Sequence, residues 1–294
     1  MERQELDTVI YEKEGPVARI ILNRPEKANA QNSRMVWDVD QCLTDAERDY
    51  NVKVLILKAN GKGFCAGHDT MPGTEMAERF PEFATAHAAG NRWKGSADLF
   101  TWPVLHLWEF QKPSISAVHG YAIGGGSYFA LIPDVVVASE DAYFQMPLVH
   151  GLGFPGGETT IEPWVMMNFH HAYEYLYLAR TVDATEAKQL GMVNRVVPRS
   201  ELDDTVEIMA RQIAQAPLST LLGVKALVKR AWEGMGMRTH LQTSVEVMEL
   251  VGACGDVAAW RQEVAEKGQG PGPRQIVAQR LAAAEAEYRN GSRG

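Results

Sequence analysis

Two short glycine-containing turns hold the residues whose types and spacing are best suited to catalysis. The first, Gly63–Asp69, reads Gly-Phe-Cys-Ala-Gly-His-Asp, and the second, His119–Gly126, ends in consecutive glycines. Small residues let the backbone approach a ligand closely, and a helix start leaves backbone N–H groups without intrahelical acceptors. If the two turns lie side by side, their N–H groups can point at one oxygen and stabilise an oxyanion that develops from a carbonyl group.

The glycine triplet Gly124–Gly126 also fits structures other than a catalytic site. Its spacing matches neither a phosphate-binding loop nor the dinucleotide-binding pattern G-x-G-x-x-G. An isolated glycine triplet often marks a place where a helix packs tightly on a sheet. The presence of a second glycine turn, each following its own strand, favours a functional site.

The elements that position these turns alternate between strand and helix. Apolar, β-rich runs occur at four places: Val17–Leu22, Val54–Leu57, Ser114–Val118 and Asp134–Ala138. Between the first two runs, an apolar face from Met35 to Ala46 predicts an amphipathic helix, with Asn32 or Ser33 as its N-cap. Strands alternating with helices predict an α/β fold with a buried, largely parallel sheet.

The pattern becomes helical from about residue 170, which divides the chain into three parts. Residues 1–190 are expected to form the α/β core with the site, and residues 191–267 a helical C-terminal region. Residues 268–294 form a mildly basic tail that begins with a Gly/Pro-rich break. The tail is expected to be helical over 274–289 or partly disordered, either in solvent or packed on a partner subunit.

Composition and charge exclude several functional classes. The chain has 294 residues with 29 Lys plus Arg and 37 Asp plus Glu, so its formal charge is −8 and nucleic-acid binding is not expected. No apolar run is long enough for a membrane span, and the polar N-terminus does not resemble a signal peptide. The three cysteines lack paired spacing and the histidines lack metal-ligand spacing. A soluble, cytoplasmic protein without a metal is expected.

The ordered motifs resemble those of the crotonase (enoyl-CoA hydratase/isomerase) superfamily over roughly residues 5–265. The resemblance rests on Leu22–Ala30, the two glycine turns, Lys112-Pro113, Asp134, Ala142–Pro147, Ala184–Pro198 and the helix around Lys225. It implies a spiral of ββα repeats with a C-terminal helical trimerisation region. It also implies a homotrimer or hexamer that acts on acyl-CoA thioesters, with coenzyme A as part of the substrate and no tightly bound cofactor.

The resemblance also implies particular binding residues. The thioester carbonyl would lie between the backbone N–H groups of His68 and Gly125. Coenzyme A would contact the backbone of two segments, namely Lys27 and Ala28, and Ala66, Gly67, Asp69 and Thr70. Lys27 is either an electrostatic partner of a coenzyme A phosphate or an ordinary surface lysine.

The sequence departs from the family where a typical hydratase has its two glutamates. Tyr128 stands at the first of these positions and Leu148 at the second. Leucine cannot transfer a proton, and a tyrosine with an ordinary pKa near 10 is a weak base at neutral pH. The chain therefore resembles a subgroup that lacks both standard catalytic glutamates.

Three residues near these positions are candidates to replace the missing acid and base. Glu158 follows the Pro155–Gly157 loop, His150 has a reference pKa suited to proton transfer, and Tyr128 can donate a hydrogen bond or a proton. Each also has a structural interpretation. Glu158 can cap the next helix, His150 can be a core histidine, and Tyr128 can fill the space that the glutamate vacates.

Three functions are consistent with these residues. The first is an acyl-CoA enzyme that stabilises a thioester enolate and hydrates or isomerises an enoyl-CoA. The second keeps the oxyanion site but performs another reaction, such as hydrolytic C–C cleavage of a β-dicarbonyl compound or modification of a cyclic acyl-CoA. The third is a non-catalytic acyl-CoA-binding subunit, which the loss of both glutamates would permit.

Overall fold

A parallel sheet forms the centre of the protein, as the apolar β-rich runs predict. The computed structural model describes residues 1–69, 95–157, 159–166, 168–266 and 273–291. Within them, the main sheet has the strand order β1-β2-β3-β4-β5-β7-β10, antiparallel from β1 to β3 and parallel from β3 onward. Its strands are β1 (Glu2–Glu5), β2 (Val9–Glu14), β3 (Val17–Leu22), β4 (Val54–Ala59), β5 (Ser114–Val118), β7 (Val135–Ser139) and β10 (Arg195–Val197).

A second, smaller sheet has three strands in the order β6-β8-β9. It contains β6 (Tyr121–Ile123), β8 (Tyr143–Gln145) and β9 (Thr181–Asp183). Isolated parallel bridges, Gln31 with His68 and Cys65 with Ala122, extend it through the earlier part of the chain. The strands β3, β4, β5 and β7 are thus each followed by a short stretch in the second sheet, and this is the ββα repeat of the predicted spiral.

Helices cover both faces of the main sheet and form the C-terminal part of the chain. In the described residues they are α1 (Ser33–Arg48), α2 (Trp102–Glu109), α3 (Gly125–Leu131), α4 (Leu148–Gly151), α5 (Glu162–Met166), α6 (Phe169–Leu178), α7 (Ala184–Gln189), α8 (Leu202–Ile213), α9 (Leu218–Gly234), α10 (Met237–Gly252), α11 (Gly255–Glu266) and α12 (Pro273–Gly291). A π-helical turn, Ala97–Thr101, precedes α2, and short 3₁₀ turns span Pro25–Lys27 and Arg199–Glu201.

Alternate residues of the central strands pack on opposite faces of the sheet. On one face, Val54 and Ile56 pack in one apolar cluster with Val206 of α8. On the other face, Leu55 and Leu57 join the larger core, which also contains the apolar face of α1. Because both faces are covered, β3, β4, β5 and β7 are largely apolar and almost entirely buried, which is typical of parallel sheets.

The helix α1 begins where its sequence predicts. The Asn32 side chain accepts a hydrogen bond from the Met35 amide at 3.0 Å and is therefore the N-cap. The residues that face the core are buried, namely Met35, Val36, Val39, Cys42, Leu43 and Ala46. The α/β class and the helical C-terminal region are confirmed.

Two features lie beyond what the sequence pattern predicted. The strands β1 and β2 form an antiparallel hairpin that extends the sheet at its edge. The C-terminal helix α12 packs against α4 of its own chain, with Val277 only 2% exposed and the Arg280 guanidinium 4.4 Å from the centre of the Trp260 ring. The sequence predicted a tail in solvent or packed on a partner subunit, and this contact within the chain is neither of these. It forms because packing on the chain's own surface buries the apolar side chain of Val277.

No helix in the described ranges is long and apolar enough to cross a membrane. In the same part of the chain, no group of three or more His, Cys, Asp or Glu residues could hold a metal ion.

An ion-pair network between α1 and α2 generates a testable prediction. His106 Nδ1 lies 2.7 Å from Asp40 Oδ1 and its Nε2 lies 3.5 Å from Glu47 Oε2. Hydrogen bonds and charge attraction from Asp40 and Glu47 raise the pKa of His106 from 6.5 to about 9. The stabilisation from imidazolium is therefore complete below pH 6.5 and is lost as the pH rises through about 9.

We expect His106→Gln to lower the free energy of unfolding by roughly 1–2 kcal/mol at pH 7, and by much less at pH 10. Urea denaturation of both proteins at the two pH values measures the difference. The matched control is His170→Gln, which changes an exposed histidine without such an ion pair in the described structure. An equal loss at both pH values would show that the charge of His106 does not contribute.

Candidate active site at the two glycine turns

The first glycine turn lies beside β6 through backbone hydrogen bonds. The amide of Phe64 donates to His119 O at 2.8 Å and the amide of Cys65 donates to Tyr121 O at 3.0 Å. In return, the amide of Ile123 donates to Cys65 O at 3.0 Å. These bonds bring the two turns side by side, as the oxyanion interpretation requires.

Gly67 brings the two turns into close contact. Its φ of +94° lies in the left-handed region, where a side chain is strained. A Cβ placed on Gly67 would lie 2.8 Å from Ile123 O and 3.4 Å from the amide nitrogen of Gly125. The backbone next to His68 therefore lies directly beside the first residue of α3.

His68 and Gly125, the two predicted oxyanion donors, are neighbours in the structure. A Cβ on Gly125 would lie 2.7 Å from Nε2 of His68, so the imidazole covers this glycine closely. Gly124 N-caps α3 with a φ of +55°, and its amide donates to Gln145 O at 2.9 Å. Because residues in the first turn of a helix lack intrahelical acceptors, the N–H of Gly125 suits an external acceptor.

Gln31 links the two turns, and the sequence analysis missed it. It is 1% exposed; its amide donates to Gly67 O at 2.8 Å and its side-chain Nε2 donates to Gly125 O at 3.2 Å. The amide of Asp69 donates back to Gln31 O at 2.9 Å. A single glutamine before an N-cap residue carries no sequence signal for this role, since its partners lie 36 to 94 residues away.

The segment predicted to bind coenzyme A is attached to the first turn. The amide of Ala66 donates to Ala28 O at 3.1 Å, and Ala28 adopts a left-handed φ of +54°. Buried Asn29 donates through Nδ2 to Asn60 O at 2.7 Å and to Gly63 O at 3.1 Å. Lys27 is exposed at the end of its 3₁₀ turn, where a phosphate group can reach it.

The carboxylate of Asp69 takes part in an ion pair. Nη2 of Arg24 lies 3.2 Å from Asp69 Oδ2, and Nη1 of Arg24 also donates to Ala30 O at 2.5 Å. This pair joins the segment after β3 to the first glycine turn. Thr70, the last residue predicted to contact coenzyme A, lies outside the described residues.

Cys65 lies in the first turn but is not suited to nucleophilic chemistry. It is fully buried, and burial raises the pKa of its thiol to about 12. Its Sγ donates to Asn29 O at 3.0 Å. Because the thiolate is the reactive form, this thiol is inert near neutral pH.

Tyr128, predicted from the sequence to stand in place of a glutamate, lies in the protein interior. It is 1% exposed, and its hydroxyl lies 3.8 Å from Met146 Sδ. A Cβ on Gly157 would overlap this hydroxyl, so Tyr128 reaches the loop that immediately precedes Glu158. Glu158 itself lies outside the described residues. Leu148 begins α4 and packs partly buried against the main core.

His150 is attached to a different part of the structure. Its Nε2 lies 2.6 Å from Tyr177 O on α6, which makes this nitrogen the protonated donor. In the described structure, no hydrogen bond links its imidazole to either glycine turn. The structure thus brings His68, Gly125 and Tyr128 into one region, while the imidazole of His150 is bonded to α6.

Glu162 is a buried acid that the sequence analysis missed. It is 0% exposed, and neither carboxylate oxygen has a hydrogen-bond partner among the described residues that meets normal geometry. Burial raises its pKa from 4.5 to about 7, and the amides of Glu162 and Ile161 only partly oppose this shift. A glutamate at the start of a helix, as between Ile161 and Pro163, normally suggests an exposed side chain. Nothing in the local sequence therefore indicates that Glu162 is buried.

The spiral of ββα repeats and the paired glycine turns define an enzyme of the crotonase type. A family model described as enoyl-CoA hydratase/isomerase matches residues 12–270. The chain therefore belongs to the enoyl-CoA hydratase/isomerase family, and the resemblance seen in its motifs is confirmed.

Curated and structural relatives agree with this assignment. The chain is 34% identical over 254 residues to the short-chain-enoyl-CoA hydratase of Clostridium acetobutylicum, covering 85% of this chain and 90% of the relative. A probable enoyl-CoA hydratase of Mycobacterium smegmatis has a similar structure, with a TM-score of 0.78, 33% identity and coverage of 87% of this chain and 98% of the other. An enoyl-CoA hydratase/isomerase from Xanthobacter autotrophicus Py2 also has a TM-score of 0.78, at 30% identity and with coverage of 95% and 99%.

The buried carboxyl group of Glu162 generates a prediction about stability. Its pKa is higher in the folded protein, so the folded state binds a proton more tightly than the unfolded chain between pH 4.5 and about 7. The protein should therefore lose stability as the pH rises through this range and change little above it.

We expect the stability of the natural protein, relative to Glu162→Gln, to fall by roughly 2–3 kcal/mol between pH 5 and pH 8. Urea denaturation of both proteins across this range gives the difference in their free energies of unfolding. Any effect of the substituted amide that does not depend on pH cancels when this difference is compared between pH values. Parallel stability curves for the two proteins would contradict a buried acid that titrates near pH 7.

Proposed function

We propose that the protein acts on acyl-CoA thioesters and hydrates or isomerises the double bond of an enoyl-CoA. The observation that carries this proposal is the contact of the two glycine turns, in which Gly67 lies beside the amide nitrogen of Gly125. The thioester oxygen would accept hydrogen bonds from the N–H groups of His68 and Gly125. The names of the relatives in Clostridium, Mycobacterium and Xanthobacter support the same class of substrate.

The two N–H groups would act on the charge that forms during the reaction. When water adds to the β-carbon of an enoyl-CoA, the electron pair of the double bond moves toward the thioester oxygen and gives an enolate. Donors fixed by the backbone stabilise this oxygen without having to reorganise, and one such donor is typically worth about 3–4 kcal/mol. Gln31 would keep both turns in position, because it bonds to each of them.

Proton transfer is proposed for the loop that follows Gly157. Hydration needs a base that takes a proton from water and an acid that returns a proton to the α-carbon. Glu158 can perform both steps in turn, and the hydroxyl of Tyr128 lies against the preceding Gly157, where it can orient the carboxylate or the water. His150 remains a second candidate, although its Nε2 is bonded to Tyr177 O.

Coenzyme A is proposed as part of the substrate, with no tightly bound cofactor. The backbone of Ala66, Gly67, Asp69 and Thr70 and that of Ala28 would line its path, with Lys27 near a phosphate. The hydrogen bond between Ala66 and Ala28 supports this arrangement, because it joins the two segments. We also place the protein in a reducing compartment such as the cytoplasm, since Cys42, Cys65 and Cys254 are unpaired.

Enzyme assays test this proposal. Purified protein is incubated with crotonyl-CoA and with a longer enoyl-CoA, and loss of the conjugated-thioester absorbance is followed. We expect hydration, a loss of turnover of about 10²–10⁴-fold in Glu158→Gln with little change in acyl-CoA affinity, and a loss of about 10²-fold in Gly125→Ala. Glu201→Gln and Gly255→Ala are the matched controls, because Glu201 is exposed and a Cβ on Gly255 meets no atom within 4 Å.

The other outcomes separate the alternative functions. Tight binding of acyl-CoA without turnover of either substrate would reject hydration and favour a binding subunit or another reaction, such as C–C cleavage of a β-dicarbonyl compound. Full activity in both Glu158→Gln and His150→Ala would show that proton transfer lies elsewhere. Failure to bind any acyl-CoA would reject the proposed substrate class.

A homotrimer, or a hexamer made of two trimers, is proposed as the assembly. Helix α9 has no buried residue, and Val224, Leu227 and Val228 share one face with exposures of 56%, 73% and 56%. On α6, Phe169 and Tyr177 are 65% and 62% exposed. Apolar surface of this extent on two helices is typical of a subunit interface.

We expect Leu227→Glu to shift the protein from an oligomer toward a monomer, because it would bury a charge in the interface. Light scattering coupled to size-exclusion chromatography measures the mass. Tyr50→Glu is the matched control, since Tyr50 is 83% exposed but lies in the turn after α1. A natural protein that is monomeric at working concentration would contradict the proposed assembly.

A further inference from the structure

The guanidinium of Arg261, on α11, joins the ends of two other helices. Its Nε donates at 2.9 Å to the carbonyl oxygen of Leu152, the C-cap of α4. Its Nη1 lies 3.5 Å from the carbonyl oxygen of Gly252, the last residue of α10. Carbonyl groups at the end of a helix lack intrahelical donors and favour a nearby cation. Arg261 therefore links α4 to the C-terminal helices.

The loop after α4 packs on the same arginine and on α11. The guanidinium carbon of Arg261 lies 4.2 Å from the centre of the Phe154 ring, which gives a cation–π attraction. Gly153 has a left-handed φ of +68°, and a Cβ there would lie 3.2 Å from Cε3 of Trp260 and 3.3 Å from Cγ1 of Val257. The backbone of the loop is thus in close contact with α11.

The far end of this loop contacts a residue of the candidate site. Gly157 lies against the hydroxyl of Tyr128, because a Cβ on this glycine would overlap it. Phe154 and Gly157 are three residues apart, a distance that the chain spans with at most about 11 Å. The amide of Phe154 also donates to Leu148 O at 3.2 Å. The position of Phe154 on Arg261 therefore restricts where Gly157 can lie.

A contact from α10 holds the chain just after the loop. The amide of Thr160 donates to Oγ of Ser244 at 3.2 Å, and Oγ1 of Thr160 donates to Gly157 O at 3.2 Å. Gly157 is thus connected to α10 as well as to Tyr128. The helices α10 and α11 therefore support this loop from both of its ends.

We propose that Arg261 is a positioning residue that holds the loop Leu152–Gly157 so that Gly157 stays against the hydroxyl of Tyr128. The inference rests on the proposed function, in which Tyr128 and the residue after Gly157 serve proton transfer, and it adds the C-terminal helix that fixes their geometry. Arg261 does not touch the substrate in this role. Without its guanidinium, the loop loses its hydrogen bond to α11, while the two glycine turns keep their own backbone bonds.

Kinetics of Arg261 variants test this role. We expect Arg261→Met, which removes every donor, to lower kcat for crotonyl-CoA by about 10- to 100-fold and to change KM less than about twofold. KM should change little because the proposed coenzyme A contacts lie on other segments. Arg261→Lys keeps the charge and one donor, so its kcat should lie between those of Arg261→Met and the natural protein. Arg48→Met is the matched control, because Arg48 is exposed in the last turn of α1.

Hydrogen–deuterium exchange provides a measurement that does not depend on activity. Peptides that cover residues 148–157 should exchange faster in Arg261→Met, because the loop opens more often when it is not bonded to α11. Peptides that cover the first glycine turn, residues 63–69, should exchange at the natural rate. Gly153→Ala disturbs the same contact from the side of the loop and should give the same pattern of exchange and kcat.

The outcomes separate this inference from the proposed function. If the natural protein hydrates crotonyl-CoA and Arg261→Met does so with the natural kcat, Arg261 has no positioning role. Faster exchange throughout the chain, with no recovery of kcat in Arg261→Lys, would show a purely structural role. If the natural protein turns over no enoyl-CoA, the proposed function fails and the inference fails with it. Should Arg261→Met not fold, natural kcat and natural exchange in both Arg261→Lys and Gly153→Ala would overturn the inference.

Discussion

The rest of the site depends on the backbone pairing between the first glycine turn and β6. The amides of Cys65 and Ile123 form reciprocal hydrogen bonds across this pair, and Gly67 then reaches the amide of Gly125. Parallel pairing also joins Gln31 to His68 and β6 to β8, so the position of the turn is set by several repeats of the spiral. Gln31 adds a third strand-like segment to the same layer and completes the support of both turns. A site built on backbone groups in this way keeps its geometry even when nearby side chains change.

That constraint matters because the sequence predicts that the chain lacks two catalytic glutamates, with Tyr128 and Leu148 at their positions. In the structure, Tyr128 fills buried space up to Gly157. Backbone donors do not depend on those side chains, whereas proton transfer does. Proton transfer therefore depends on other titratable side chains, for which Glu158, His150 and Tyr128 are the proposed candidates.

Several buried polar groups near the site are held by specific partners, whereas among the described residues the Glu162 carboxyl group is not. The Asn29 side chain joins its own segment after β3 to the turn after β4, and Asp69 pairs with Arg24. These contacts stabilise the segments that would bind coenzyme A, since a buried polar group without a partner costs free energy. Glu162 has no comparable partner in the described structure. Because burial penalises the charged form of this carboxyl group, its pKa is raised to about 7.

The sequence by itself determined the α/β class, the positions of β3, β4, β5 and β7, the start of α1 at Asn32 or Ser33, and the two turns that carry His68 and Gly125. These features follow from local periodicity, capping and ordered motifs, which neighbouring residues specify. The hairpin β1–β2, the bonds of Gln31, the orientation of His150 toward α6 and the burial of Glu162 were decided only by the tertiary structure. Each of these depends on partners far away in the chain, and no local pattern encodes whether such a partner will cover a side chain or leave it exposed.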